Sequence, residues 1–83
     1  MNKMYIIYEM FTIESTVQII KNNKITDTFQ INPTNIKMIQ AICKQNDINE
    51  IILCGNKDFL KKYKIIFNTE FENNQIKITI EGE

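Results

Sequence analysis

The feature that most constrains the fold is the apolar run Ile51-Ile52-Leu53-Cys54, which is followed at once by Gly55 and Asn56. Four consecutive apolar residues are typical of an interior strand whose two faces are both covered, and above all of a parallel strand with helices packed on it. The glycine predicts a turn, and the residues after it predict a helix. We therefore interpret the run as an interior strand around which an α/β domain is built.

The charged residues of the chain limit the classes of function. Ten basic residues, all lysine, balance ten acidic ones, and there is no arginine or histidine. A balanced charge gives no field that would hold nucleic acid or an anionic membrane. Without arginine there is no bidentate fork for guanine or phosphate, and without histidine there is no imidazole base or ligand. The sequence predicts no enzyme activity, no cofactor and no sequence-specific nucleic-acid binding.

The length of 83 residues fits a single domain, 1–83, with a small core, and self-association fits that size. No apolar run approaches the roughly 20 residues that span a bilayer, so a cytoplasmic location without membrane contact is expected. Isoleucine (18) and asparagine (11) are abundant. This bias is typical of AT-rich codons and suggests a phage or mobile element, whose protein partner would be a host or defence protein.

Three strands are predicted before the first helix: Met4 to Phe11, Thr16 to Lys21 and Lys24 to Ile31. Asn22-Asn23 predicts a tight hairpin turn, because asparagine tolerates positive φ. In the third strand Ile25, Phe29 and Ile31 are expected on one face. Asp27 shares that face, and we interpret it as a charge that discourages edge-to-edge association.

Glu9 is an unexpected charge in the first strand, where it would share a face with Ile7 and Phe11. We interpret it as a carboxylate near the strand end that reaches solvent. The two cysteines, Cys43 and Cys54, lie among apolar residues and are interpreted as small buried hydrophobes rather than a disulfide or a reactive thiol.

The helices are predicted from caps and spacing. Asn32-Pro33-Thr34 is typical of a helix start, with Asn32 as the cap, and this helix should end near Lys44 to Asn46. After Gly55-Asn56, an apolar stripe predicts a second helix, then a loop from Glu70 to Asn74 and a last strand from Gln75 to Glu81. The stripe consists of Phe59, Leu60, Tyr63, Ile66 and Phe67.

The predicted order is βββαβαβ, which gives a five-stranded mixed sheet with two helices. In about 80 residues this order resembles the ribonuclease H-like fold of ribonuclease H, integrases and the actin-like ATPases. Residues 7–17 resemble the first hairpin of an actin-like domain, in which an acidic residue ends the first strand. Residues 51–56 followed by Phe59-Leu60 resemble the segment that approaches adenosine in those ATPases.

The chain also departs from these families. The turn from Phe11 to Ser15 has no glycine with which backbone amides could wrap a phosphate. The first helix has no acidic residue and the fourth strand ends in Cys54-Gly55, whereas nucleases of the fold place carboxylates there around two metal ions. An alternative remains in which Glu9, Glu14 and Asp58 serve a metal-dependent phosphoryl-transfer enzyme.

Two kinds of non-catalytic site are predicted. The leading hypothesis is a protein-binding module that pairs with another protein or with itself through a sheet edge. Its contact would be the third strand or the last one, through Ile76, Lys77, Ile78, Thr79 and Ile80. A small-ligand or nucleotide-binding site at the carboxyl ends of the strands is the other hypothesis. That site would use Asn32, Thr34, Gly55, Asn56 and Lys57.

Overall fold

The computed structural model describes residues 1–9 and 14–82, and its elements follow the predicted order. The strands are β1 (Asn2–Ile7), β2 (Ser15–Lys21), β3 (Lys24–Ile31), β4 (Ile48–Cys54) and β5 (Lys77–Ile80). The helices are α1 (Ile36–Gln45) and α2 (Lys57–Phe71), with a short 3-10 turn, Glu72–Asn74, after α2. The prediction of a single α/β domain with a five-stranded mixed sheet and two helices is confirmed.

The five strands form one sheet in the order β3-β2-β1-β4-β5. β2 is antiparallel to β1 and β3, whereas β4 is parallel to β1 and β5 is parallel to β4. β4 is therefore an interior strand, as its apolar run predicts, and all four side chains of Ile51-Ile52-Leu53-Cys54 are buried. The carboxyl ends of β1, β4 and β5 share one edge of the sheet.

Both helices pack on the same face of the sheet. One buried cluster joins them to it, with Met4, Ile6, Val17, Ile19, Ile51, Leu53, Ile78 and Ile80 from the strands and Ile39, Cys43, Leu60, Phe67 and Phe71 from the helices. Gln40 Nε2 donates to the Glu70 carbonyl at 3.0 Å, so α1 and α2 are neighbours. Ile52 and Cys54 alternate with the cluster residues along β4 and lie on the opposite face. The expected packing of helices on β4 is therefore found on one face, and among the described residues no helix covers the face of Ile52 and Cys54.

The first strand is shorter than predicted. It ends at Ile7 rather than at Phe11, and residues 10–13 lie outside the described part of the chain. Glu9 follows the strand end and is exposed, as we interpreted it. Tyr8 still joins the sheet, because its N–H donates to the Cys54 carbonyl at 2.9 Å.

A bulge in the β2–β3 hairpin changes the face of Ile25. The Asn22-Asn23 turn has φ angles of 53° and 64°, which confirms the predicted hairpin turn. The register, however, pairs Ile19 with Asp27 and then Ile20 with Ile25, so β3 carries one extra residue there. Because one extra residue reverses the alternation, Ile25 leaves the face of the core and is 57% exposed. The predicted grouping of Ile25 with the core residues of β3 is wrong.

The first helix begins three residues later than predicted. Asn35, not Asn32, is its cap, and the Asn35 side chain accepts a hydrogen bond from the Met38 N–H at 3.2 Å. Asn32 Oδ1 instead accepts from the Thr34 N–H at 3.0 Å and closes a turn before the helix. Two asparagines three residues apart offer competing caps, and the local turn takes the first of them.

The second helix runs further than predicted. The predicted loop from Glu70 to Asn74 is wrong, because α2 continues to Phe71, whose side chain is fully buried in the core. Leu60 and Phe67 of the predicted stripe are buried, but Phe59 is 47% exposed. The buried face of α2 therefore contains Leu60, Phe67 and Phe71, whereas Phe59 and Ile66 of the predicted stripe lie largely at the surface.

Both cysteines are free and buried, in agreement with the interpretation as small hydrophobes. Burial raises the pKa of Cys43 to about 12, and burial, helped by the nearby Glu81 carboxylate, raises the pKa of Cys54 to about 12. An unfolded thiol titrates near 9. Between these values the folded chain keeps protons that the unfolded chain has lost, so stability is lost as the pH rises through this window.

We therefore expect the urea midpoint of unfolding to fall between about pH 9 and pH 12. The measurement is chemical unfolding at a series of pH values for the natural chain and for the Cys43→Ala variant. The variant should show a shallower dependence on pH, whatever its stability at neutral pH. Equal slopes for the two proteins would contradict the prediction.

Candidate functional site

The carboxyl edge of the parallel strands carries a pocket of about 270 Å³. Its floor comes from Tyr8, which follows β1, and from Ser15, the first residue of β2. One wall is the turn at residues 32–34 before α1, and the other is Phe59 and Tyr63 on successive turns of α2. Glu9 also lines it. We name this set of residues the carboxyl-edge pocket.

Three aromatic rings pack against one another in the carboxyl-edge pocket. The ring centroids of Tyr8 and Tyr63 are 4.8 Å apart, those of Phe59 and Tyr63 are 4.9 Å apart, and Phe59 meets Tyr8 edge-on at 5.9 Å. Gly55 makes room for this arrangement, since a Cβ there would lie 3.2 Å from the Tyr8 carbonyl oxygen. The three rings form an aromatic surface between the two helix starts.

The Tyr8 hydroxyl is the one buried side-chain polar atom without a hydrogen-bond partner in the described part of the chain. Burial, and secondarily the neighbouring Tyr63, raises the pKa of Tyr8, so this phenol stays protonated. A buried hydroxyl group without a hydrogen-bond partner lowers the stability of a fold by about 1–3 kcal/mol.

The predicted ligand residues are divided between the pocket and structural roles. Asn32 and Thr34 do line the carboxyl-edge pocket, and the Thr34 hydroxyl donates to Asn32 Oδ1 at 2.7 Å. Asn56 caps α2 by accepting from two backbone N–H groups at 3.0 and 3.2 Å. Lys57 Nζ lies 3.4 Å from the Gly82 carbonyl oxygen, and Gly55 contacts the Tyr8 backbone. Four further residues line the pocket and were not predicted as ligand residues: Tyr8, Ser15, Phe59 and Tyr63.

The alternative set of acidic residues does not converge. Glu9 follows β1, Glu14 precedes β2 and Asp58 lies in the first turn of α2. Over residues 1–9 and 14–82, no three histidine, cysteine, aspartate or glutamate side chains are grouped closely enough to hold a metal ion. Of these three acids, Glu9 is the one that reaches the carboxyl-edge pocket.

The sheet face opposite the helices forms a second candidate surface. Its centre is apolar, and the register places Tyr5 beside Ile52 and Ile7 beside Cys54. On β2, Gln18 and Thr16 lie beside Tyr5 and Ile7, and Ile20 lies beside Lys3. Among the described residues no helix or strand packs on this side of the sheet, because both helices contribute to the cluster on the other side. We name this surface, with the apolar centre Tyr5, Ile7, Ile52 and Cys54, the uncovered face.

The charges of the uncovered face are distributed unevenly along the strands. Lys3 and Lys77 lie beside Glu50 near the amino ends of the parallel strands, and Lys3 Nζ is 3.9 Å from a Glu50 carboxylate oxygen. Thr79 Oγ1 donates to the other Glu50 oxygen at 3.1 Å. At the carboxyl ends, Glu81 interacts with Cys54. The face thus has one net positive charge at one end and a negative charge at the other.

The predicted interface strand contributes to both sides of the sheet. Ile78 and Ile80 are buried in the core, and Ile76 packs against it, so these side chains support α2. Lys77 and Thr79 alternate with them and lie on the uncovered face. Any pairing at this edge would use the backbone of β5.

No family model matches this chain, and neither a curated protein nor a solved structure is similar to it at a significant level. No described helix combines the length and the apolar character needed to cross a membrane.

Proposed function

We propose that this chain is a non-catalytic protein-binding module that associates with a second copy of itself through the uncovered face. The observation that carries the proposal is that, in the described part of the chain, the parallel strands β1, β4 and β5 have helices on one side of the sheet and none on the other. All-parallel sheets occur almost only with both faces covered, and these three strands form the parallel part of the mixed sheet. A second copy would supply the missing layer as another sheet.

The apolar centre of the uncovered face supports this proposal. Ile52 and Cys54 of β4 are 7% and 8% exposed in the single chain, and their neighbours Tyr5 and Ile7 on β1 are half-buried. Two such sheets can pack face to face at a distance of about 10 Å, with their strands nearly aligned. The isoleucine and tyrosine side chains would then lose their remaining contact with water.

The charges support a second copy in a defined orientation. A two-fold axis that lies between the sheets and runs across the strands would place the Lys77 end of one copy over the Glu81 end of the other. Opposite charges would meet at both rims, and the apolar centres would meet in the middle. Complementary charge of this kind sets register more than affinity.

The size of the face predicts a weak dimer. Five strands about 4.8 Å apart and six residues with a rise of about 3.3 Å give a face of about 24 by 20 Å. Two copies would bury on the order of 1,000 Å² in total, which is the lower limit for a specific interface. We therefore expect a dissociation constant in the micromolar range.

A ribonuclease H-like origin is part of the proposal. The three-strand antiparallel unit followed by two helix-strand units supports it, and so does the mixed sheet built from them. The sequence departures at the first turn and in the first helix favour a member that binds rather than cleaves. An origin in a phage or mobile element, with a host protein as the natural partner, is the competing proposal for what covers the face.

The test is sedimentation velocity over a range of micromolar concentrations. The natural chain is expected to shift from monomer to dimer, and Tyr5→Lys, at the centre of the uncovered face, is expected to weaken the dimer about tenfold or more. The Ile65→Lys variant is the control, because Ile65 is 68% exposed on α2, on the opposite side of the molecule. A monomer at every concentration, or equal loss in both variants, would refute the second-copy proposal.

A further inference from the structure

The carboxyl-edge pocket combines features that the proposed dimer does not use. It lies at the edge of the sheet, between the starts of the two helices. It contains the aromatic surface of Tyr8, Phe59 and Tyr63, the unpaired Tyr8 hydroxyl and the Glu9 carboxylate. Each of these groups has its own preference for a ligand, and together they restrict the ligand class.

The charged side chain of the pocket disfavours anions. Glu9 is the one charged residue among its described lining residues, and it is exposed. A phosphate or carboxylate ligand would meet this carboxylate with no lysine to offset it, since Lys57 reaches toward Gly82 instead. The ligand is therefore a cation that Glu9 can pair with.

The aromatic surface narrows the ligand to a planar cation. A cation placed over the face of a phenylalanine or tyrosine ring is attracted by the ring quadrupole, and arginine does this more often than lysine. The guanidinium group also stacks flat on a ring while its edge forms paired hydrogen bonds with a carboxylate. Phe59, 47% exposed, and half-buried Tyr63 offer such ring surface beside Glu9.

The remaining polar groups are acceptors for the other N–H groups of a guanidinium. The Thr34 hydroxyl gives its proton to Asn32 Oδ1, so its oxygen keeps free lone pairs. The Tyr8 hydroxyl oxygen, buried without a hydrogen-bond partner, also has free lone pairs. A volume of about 270 Å³ suits one such group rather than a nucleotide.

We propose that the carboxyl-edge pocket binds a guanidinium group, which stacks on Phe59 and Tyr63 and pairs with Glu9. The chain itself contains no arginine, so the group must come from another molecule. It would be supplied by a small free guanidine compound or by an arginine side chain of a protein. Glu9 is then a ligand for the cation, a role different from the metal ligand of the enzyme hypothesis.

The test is a titration of the full ¹⁵N-labelled chain, followed by amide chemical shifts. The probes are N-acetyl-arginine amide, free arginine, N-acetyl-lysine amide and inorganic phosphate, each up to millimolar concentrations at constant ionic strength. We expect saturable shifts at Ser15, Thr34 and Tyr63 with the arginine probes, weaker ones with the lysine probe and none there with phosphate. If N-acetyl-arginine amide binds more tightly than free arginine, the natural ligand is an arginine side chain of a protein. If free arginine binds more tightly, the natural ligand is a small metabolite.

Two variants test the assigned contacts. Glu9→Gln should weaken binding of the arginine probe about two- to fivefold, as loss of an exposed ion pair does. Phe59→Leu keeps the apolar volume and removes the ring, so it should weaken binding about threefold or more. Glu72→Gln, an exposed acid in the 3-10 turn beyond the far end of α2, is the control and should bind as the natural chain does.

The proposal is overturned if the arginine probes give no saturable shifts, if phosphate saturates the same amides, or if all three variants bind alike. The fold of each variant is read from the same spectra before titration. Self-association is a separate question, because a Tyr5→Lys chain that stays monomeric should still bind the arginine probe.

Discussion

Replacing Phe67 with alanine is expected to lower the free energy of unfolding by about 3–5 kcal/mol. Phe67 has no exposed surface and lies in the cluster that joins α2 to the sheet, with its ring 5.7 Å from that of Phe71. Removal of the ring would leave a cavity between α2 and the sheet, which could be filled only if the helix or the sheet moved. A chain of 83 residues has a total stability of about 4–12 kcal/mol, so the variant should be at or near the limit of folding.

The measurement is equilibrium unfolding in urea at neutral pH, followed by circular dichroism. Ile65→Ala is the matched control, because Ile65 lies two residues earlier on the same helix and is 68% exposed. It should change the unfolding free energy by less than about 0.5 kcal/mol. Similar losses in the two variants would mean that α2 does not use the face described for it.

The substitution Gly55→Ala is expected to lower stability by about 1–3 kcal/mol, the cost of holding one residue in a strained backbone region. Gly55 has a φ of +145°, which side chains with a Cβ rarely adopt. The added Cβ would also lie 3.2 Å from the Tyr8 carbonyl oxygen, a backbone atom held in the sheet by the neighbouring Tyr8 N–H bond to Cys54. Neither the added methyl group nor the Tyr8 carbonyl group can move away without a loss of stability.

The Gly82→Ala variant separates the cost of a positive φ from the cost of the contact with the Tyr8 carbonyl oxygen. Gly82 also has a positive φ, +84°, but the nearest atoms to its Cβ would be the flexible end of Lys57 at 3.8 Å. We expect a loss of less than about 1 kcal/mol there. Urea unfolding of both variants gives the comparison, and equal effects would show that the contact with Tyr8 has no energetic weight.

The order and type of the elements could be predicted because each has a local signal. The β4 run is apolar over four residues, the Asn22-Asn23 turn needs only two residues, and the last strand alternates strictly. The start of the first helix was predicted wrongly because two local signals compete there. Asn32 and Asn35 are both good caps, and only the packed structure decides which turn belongs to the helix.

The uncovered face could not be predicted from the apolar run in β4. Apolar residues on both sides of a strand indicate two covered faces, but they do not say which molecule supplies the cover. The two α-helices of residues 1–9 and 14–82 both pack on one side of the sheet. Tyr5 and Ile7, which alternate with Met4 and Ile6, were the available signal that the second face is also apolar.

The candidate pocket was predicted in place but not in composition. The carboxyl ends of the strands were the expected location, and Asn32 and Thr34 are there. Phe59 and Tyr63 were assigned to the core stripe of α2, because a spacing of four residues does not fix how far the helix is rotated. That rotation depends on Phe71, which lies beyond the predicted end of the helix.

The bulge between β2 and β3 has a consequence for how many copies can assemble. It twists the β3 edge and leaves Asp27 exposed there, so neighbouring copies are discouraged from adding strands sideways. Growth by that route would be open-ended and would lead to filaments. In the proposed dimer, by contrast, the contact between the two uncovered faces is complete once two copies have met. The hairpin that disturbs the strand alternation would then limit self-association to a closed dimer.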